Sequence, residues 1–278
     1  MKNKFLLMRS LPIILRYIFV YGFLVVALYP LFWMLLLSLK TSLQAFEYPP
    51  LFIFRPTGDN YIALFFNSDF FRYVLNSVIV SAGAVFLSFV IGVPAAYGLS
   101  RTSFSLKQSV SIWILITRMI PRISFVVPFF VIYFKLGMID TKYGLIIAYL
   151  TFILPFVVWV MRSFFDEIPK ELEEAAKIDG ANSLQCFLRV ALPLVGPGLG
   201  ATAILAFILS WNEFLWALVL TRMNAATTPI AIVNFMAYEG AEWGKIAAGG
   251  IIIIIPVLAF SSMMSKYLGR GMIRGALK

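Results

Sequence analysis

Long uncharged runs alternate with short polar segments along most of this chain. From Tyr17 to Leu39, 23 residues pass without a charge, behind a basic lead of Lys2, Lys4, Arg9 and Arg16. A second run extends from Tyr73 to Ser100, a third from about Val110 to Phe134 with Arg118 and Arg122 inside it, and a fourth from Tyr143 to Met161. A fifth starts near Pro197 and reaches Thr221 with Glu213 within it, and a sixth covers Ile246 to Ser265. A helix rises about 1.5 Å per residue, so roughly 20 apolar residues cross a hydrocarbon core of about 30 Å. Backbone groups in lipid must be satisfied within the segment, and the apolar signal is continuous rather than alternating, so these runs predict six transmembrane helices. The first run is longer than the core of a secretory signal peptide and continues into "LLLSLK", which reads as an uncleaved span.

The second run carries Ala84, Ser88, Gly92 and Ala96 at four-residue intervals, a stripe that lets another helix approach closely. Gly196 and Gly200 offer a similar notch at the start of the fifth. Residues 40–72, with "EYPPLFIFRPTGDNY", are too polar and too broken by proline to span. Residues 222–245 form a second such loop, expected to be partly buried because "TTPIAIVNFMAY" is not very polar. There is no internal repeat and no low-complexity tract. The chain therefore divides into an N-terminal segment with its first helix and loop (1–72), a five-helix core (73–268) and a short tail (269–278).

Composition agrees with the pattern. The 278 residues are 61% hydrophobic and 13% charged, with mean hydropathy +0.91, against about 25% charged residues in soluble domains. The net charge of +10 is spread through loops rather than gathered on one stripe, which argues against nucleic acid as a partner. With both ends on one side, that side holds 14 Lys and Arg residues and the other seven, so the positive-inside rule places both termini in the cytoplasm. The chain has no His and a single Cys186, which leaves neither a His-based metal site nor a His-dependent triad.

One loop breaks the pattern. Six of the 13 acidic residues fall between Asp166 and Asp179, in the cytoplasmic loop at 166–196. Pro169 suits the first turn of a helix, and Glu171, Glu173 and Glu174 follow near its positive end. Glu173 and Lys177 are spaced as an i, i+4 pair, and Gly180 ends the helix. Asn182 caps a second piece, in which Leu184, Phe187, Leu188 and Ala191 share a face until Pro193 stops it. The residues alone leave two readings open: a loop folded back on its own bundle, or a thin acidic helix that lies in another protein's groove.

The spacing Glu174-Ala175-Ala176, three residues, Gly180, nine residues, Val190, one residue, Leu192-Pro193 resembles the signature loop of permease subunits of bacterial ATP-binding cassette (ABC) importers. The Asp179-Gly180-Ala181 step also matches, while Val190 stands where the family usually has Ile. "SFFDEIPKELEEAAKIDGA", "ILAFILSWNEF" and "KYLGRGMIRGALK" are similar to the carbohydrate-importing branch, and the likeness covers about residues 12–278. The resemblance implies an all-α membrane protein with the type I importer permease fold in a bacterial inner membrane. It implies that Glu173, Glu174, Ala175, Ala176, Asp179, Gly180, Ala181, Leu192 and Pro193 form a coupling helix that docks on a separate ATPase. It further implies a second, different permease and an extracytoplasmic solute-binding protein that meets the outer loops. The chain has no G-x-x-x-x-G-K-[ST] phosphate loop, so ATP would be held by the partner and no cofactor by this chain.

Charges inside the spans add a candidate path. Arg118 lies eleven residues past Lys107, about 16 Å into a helix, where a charge costs at least about 2.5 kcal/mol and faces a cavity or a partner. Glu213, beside Trp211 and Asn212, is the acid within the fifth span, and these four residues are expected to line the path or, for Arg118 and Glu213, to pair across it. An internal salt bridge that only locks the bundle is the plainer alternative. Arg122, near Pro121, is expected to meet backbone carbonyls, and Trp216 to be an interfacial aromatic. Two rival classes are an ion-coupled transporter with Glu213 as its coupling acid, which calls for repeats in both halves, and a membrane enzyme, which calls for a nucleophile–base or metal cluster in a chain with no His and no clustered Cys.

Overall fold

The computed structural model describes residues 2–66, 68–103, 105–237 and 242–275. Its helices are α1 (Lys2–Ser38), α2 (Ser42–Ala45), α3 (Asp59–Phe66), α4 (Phe70–Arg101), α5 (Lys107–Met119), α6 (Val126–Lys135), α7 (Lys142–Asp166), α8 (Glu171–Ile178), α9 (Ser183–Gln185), α10 (Leu192–Leu194), α11 (Gly196–Trp211), α12 (Leu215–Leu220), α13 (Thr228–Ala237) and α14 (Trp243–Gly275). A 3₁₀ turn at Arg122–Phe125 leads into α6 and a π segment at Cys186–Ala191 links α9 to α10. The chain forms two compact units, residues 1–68 with 235–252, and residues 69–234 with 253–278. Residues 238–241 of the second outer loop and 276–278 of the tail lie outside the described residues.

Among the described residues, four helices are long and apolar enough to cross a membrane: Leu15–Ser38 within α1, α4, α7 and Trp243–Met263 within α14. The other two expected spans are broken. Lys107–Met119 and Arg122–Lys135 meet at 92° rather than forming one helix from Val110 to Phe134. Pro121 has no N–H for a continuing ladder, and the residue before it is pushed towards extended backbone, as Ile120 is (ψ 127°). The fifth run also divides: α11 stops at Trp211, and the chain resumes helix only at Leu215. Its entry is bent too, with Ser183–Leu194 meeting α11 at 76°.

The core of the larger unit is built on α4 against α7. Ala84, Ser88, Gly92 and Ala96 are all buried, as the small-residue stripe predicts. A Cβ on Gly92 would stand 3.1 Å from Val157 and 3.2 Å from Leu154, so the two backbones are as close as side chains allow. At the entry to α11 a close approach falls at Gly198, where an added Cβ would come within 2.6 Å of the Phe164 ring; Gly196, one of the two expected positions, has nothing within 4 Å. In the smaller unit, the Asn60 amide donates to the carbonyls of Ser38 (2.9 Å) and Lys40 (2.8 Å), covering acceptors that the end of α1 leaves open. The expected burial of the second outer loop holds for Ala225, Ala226, Thr227, Thr228, Ile230 and Ala231.

Gly198→Val should destabilise the larger unit by about 1–3 kcal/mol through overpacking against Phe164, whereas Gly196→Val should leave thermal unfolding in detergent nearly unchanged.

Candidate functional site

The first polar site is the segment between α7 and α11. Glu171, Glu173 and Glu174 occupy the first turn of α8 and Lys177 the last, the order that the helix dipole favours. The helix begins two residues after Pro169, with Lys170 as N-cap, so proline precedes the first turn rather than sitting in it. Gly180, at φ +87°, reverses the chain in a conformation that other residues rarely adopt. The Asn182 side chain accepts from the Gln185 N–H and the Gln185 side chain from the Asn182 N–H, both at 2.9 Å, a capping box that starts α9.

Glu173 does not pair with Lys177. It is 4% exposed, because α8 turns it towards the end of α4. There its carboxylate accepts from Arg101 Nε at 2.6 Å and from the Tyr97 hydroxyl at 2.6 Å. Arg101 Nη2 also donates to the Ile168 carbonyl at 3.0 Å, and Ser100 Oγ to Asp166. Cys186 is buried with its thiol 3.8 Å from the Glu173 carbonyl, and Phe187 packs on Tyr97 with ring centres 4.9 Å apart. The opposite side of the loop is open. Glu174, Ala175, Asp179 and Gly180 are exposed, and beside them Ile178 is 87% and Leu184 64% exposed. Ala176, Ala181 and Leu192 are half-buried and Pro193 is exposed. The signature residues therefore split into Glu173, which fastens the loop, and a mixed apolar and acidic face around Glu174.

The second site lies where the two broken spans meet. Glu213 precedes α12, where its carboxylate accepts the Trp216 N–H and ion-pairs with Arg122. The Arg122 guanidinium also lies 4.0 Å from the centre of the Phe152 ring, and Tyr149 OH donates to the Glu213 carbonyl at 3.3 Å. The partner of Glu213 is thus Arg122 rather than Arg118, because the turn at Pro121 swings residue 122 towards α12. Arg118 instead lies 5.2 Å from the Phe156 ring centre, and among the described residues it has no carboxylate partner. Both arginines line a cavity of about 300 Å³ whose walls include Thr117, Phe129, Thr151, Phe152 and Trp216. Trp211, expected on the path, is buried, and its indole N–H is committed to the Ile253 carbonyl at 3.1 Å. Asn212 is exposed, with its amide bonded to the Ile208 carbonyl.

Asp140, absent from the sequence reading, joins the end of the third run to the segment after α12. It adopts φ +56°, a conformation open to Asp among few non-glycine residues. Its carboxylate accepts the backbone N–H groups of Arg222 (2.9 Å), Met223 (3.3 Å), Asn224 (3.0 Å) and Ala225 (2.9 Å), and its own N–H donates to the Leu220 carbonyl. From α4, the Asn76 amide grips the carbonyls of Asn224 and Ala226, and Ser77 the hydroxyl and N–H of Thr228. Residues 221–227 have an irregular backbone, yet it is held from two sides.

Comparison with known proteins now gives the family. Residues 88–274 match the family described as the binding-protein-dependent transport system inner membrane component, and the chain belongs to it. It is 40% identical over 255 residues to a trehalose transport system permease protein of Mycobacterium tuberculosis, covering 91% of this chain and 93% of that one. A probable ABC transporter permease protein of Sinorhizobium fredii is 37% identical over 253 residues, 91% of each chain. Among solved structures, a bacterial ABC transporter involved in import of the acidic polysaccharide alginate matches with TM-score 0.77 at 25% identity, over 91% of this chain and 95% of that one. The chain is therefore an inner-membrane transport subunit, and membership of this family displaces the ion-coupled and enzyme readings.

The Asp140 clasp carries a pH prediction. Partial burial would raise this carboxyl, but the four N–H groups outweigh it and hold the pKa below the usual value. Its stabilisation is complete above the unfolded-state value of about 3.9 and is lost as pH falls through the lower folded-state value. Asp140→Asn keeps the backbone conformation accessible while removing the charge. It should cost about 1 kcal/mol at pH 7, discounted for solvent screening, in thermal melts of the detergent-solubilised protein. The difference from wild type should narrow as pH falls through that lowered folded-state value.

Proposed function

We propose that this chain is one of two different permeases in an ATP-driven importer of a sugar or oligosaccharide, with both termini in the cytoplasm. The observation that carries the coupling role is the two-sided loop at 166–196. A helix fastened to the bundle through Glu173 and presenting exposed Ile178 and Leu184 among carboxylates is suited to a groove on a second protein. ATP is bound by that second protein, the ABC ATPase, and closure of a pair of ATPases moves the loop and, through Arg101, the end of α4.

The sugar assignment draws on the trehalose permease relative and on the alginate importer of known structure. The cavity suits such a cargo, since saccharides are held by aromatic faces and planar donors, and Phe129, Phe152, Trp216 and the two arginines supply both. In this reading the substrate path is lined by Arg118 and by the Arg122–Glu213 pair, with Asn212 at the break and Trp211 supporting it from behind. The unpaired charge of Arg118 at mid-membrane calls for an aqueous cavity or a partner from outside this chain. The second permease closes that side. The clasped segment 222–228, with the rest of the 222–245 loop, meets an extracytoplasmic solute-binding protein.

Glu174→Arg combined with Ile178→Asp changes only exposed side chains of α8. Co-purification from detergent should recover the ATPase with wild type and lose at least about tenfold of it with the double variant, while the thermal unfolding of the permease is unchanged. Undiminished recovery of the ATPase with the variant would contradict the assignment of this face.

A further inference from the structure

We infer a binding site for the phosphate of an anionic phospholipid in the cleft between the start of α5 and the end of α7. The cleft encloses about 590 Å³ and is lined by Lys107, Ser111 and Arg162 at one end and by Ile112, Leu115 and Trp159 at the other. Its placement at the cytoplasmic face rests on the reading of α8 as the ATPase-facing helix, because Arg101 and Asp166 bring the ends of α4 and α7 to that loop.

The donors are arranged but not exhausted. Arg162 Nη1 donates to Ser111 Oγ, and the Ser111 proton goes on to the Lys107 carbonyl at 2.7 Å. Arg162 Nε faces Asp166 at 3.4 Å, and Nη2 has no acceptor among the described residues. Lys107 Nζ makes one bond, to the Ser100 carbonyl at 3.1 Å, leaving two of its N–H groups open. The first turn of α5 has neither a side-chain cap nor an acid, so its backbone N–H groups add to the positive field. Two cations against the single Asp166 leave the cleft with one net positive charge. Charge-assisted bonds from such donors are the strong ones for phosphate oxygens.

The apolar wall decides between a lipid and a free phosphate. Lys107, Ser111 and Leu115 follow one face of α5, and eight residues from Lys107 to Leu115 amount to about 12 Å along the helix. Trp159 lies one turn from Arg162 in the same inward direction. A cationic rim followed by Ile112, Leu115 and Trp159, about 6 Å of apolar wall beyond Ser111, complements a headgroup and the first carbons of its acyl chains, and basic pockets between helices at the cytoplasmic face are where anionic headgroups bind.

The test is native mass spectrometry of the purified, delipidated transporter titrated with phosphatidylglycerol, phosphatidylcholine or inorganic phosphate. Phosphatidylglycerol should bind wild type at least about fivefold more tightly than phosphatidylcholine, and Lys107→Gln, an exposed-end change that spares the Arg162–Ser111 bond, should remove about fivefold of that affinity. Millimolar inorganic phosphate should not displace the lipid. Equal binding of the two lipids, an unaffected Lys107→Gln variant, or displacement by inorganic phosphate would each overturn the site. Recovery of the ATPase in the same preparation reports separately on the reading of α8, so the two can fail independently.

Discussion

A carboxylate carried on a membrane-surface loop and buried against a transmembrane helix must be paired, and the rest of this molecule's coupling depends on that pair. Leaving one charge of a buried ion pair without its partner costs about 3–5 kcal/mol. Glu173 therefore cannot leave Arg101 and Tyr97 without a penalty comparable to much of a domain's net stability. The loop at 166–196 is anchored to α4 at the position that faces inward while its outward face stays free. In the proposed coupling role, displacement of that face would pass to α4, and from α4 to α7 through the buried small-residue seam at Ala84, Ser88, Gly92 and Ala96.

At mid-membrane the same principle works in another form. The two breaks, at Ile120–Pro121 and at Asn212–Phe214, put irregular backbone where lipid could not satisfy it. Such backbone is tolerated where it is buried in protein or lines a cavity. The Arg122–Glu213 pair joins the breaks, the Phe129 and Trp216 rings pack 4.8 Å apart beyond them, and Asp140 clasps the outer end. The outer halves of the third and fifth spans are thus pinned at both ends, beside the cavity into which Arg118 projects its charge.

Much of the fold was legible because lipid makes hydrophobic length a strong constraint. Four of the six spans, the small-residue seam, the Gly180 turn and the Asn182 cap each follow from a local rule, and each is present among the described residues. The misreadings share one cause, since they concern which of several nearby groups a side chain meets. The third run was read as one span although Pro121 lay within it, and the 92° turn that carries Arg122, not Arg118, to Glu213 depends on α12. Glu173 had Lys177 at the right helical spacing, and it was the end of a helix 72 residues earlier in the chain that captured it. Trp211 was expected to line the path, but α14 supplies a carbonyl for its indole. Arg101 and Asp140 drew no attention, the first because a basic residue ending a span is ordinary, the second because its partners are backbone N–H groups some 80 residues away.

The measurement that bears most directly on the coupling role of the buried pair is the ratio of solute taken up to ATP hydrolysed in proteoliposomes holding the complete transporter. It is compared across wild type, Arg101→Gln, Glu173→Gln and the double variant. If the pair fastens the loop to the bundle, each single change lowers uptake per ATP severalfold and the double variant is no worse than either single one. Losses that simply multiply in the double variant, or an uptake ratio that none of the three changes, would contradict it.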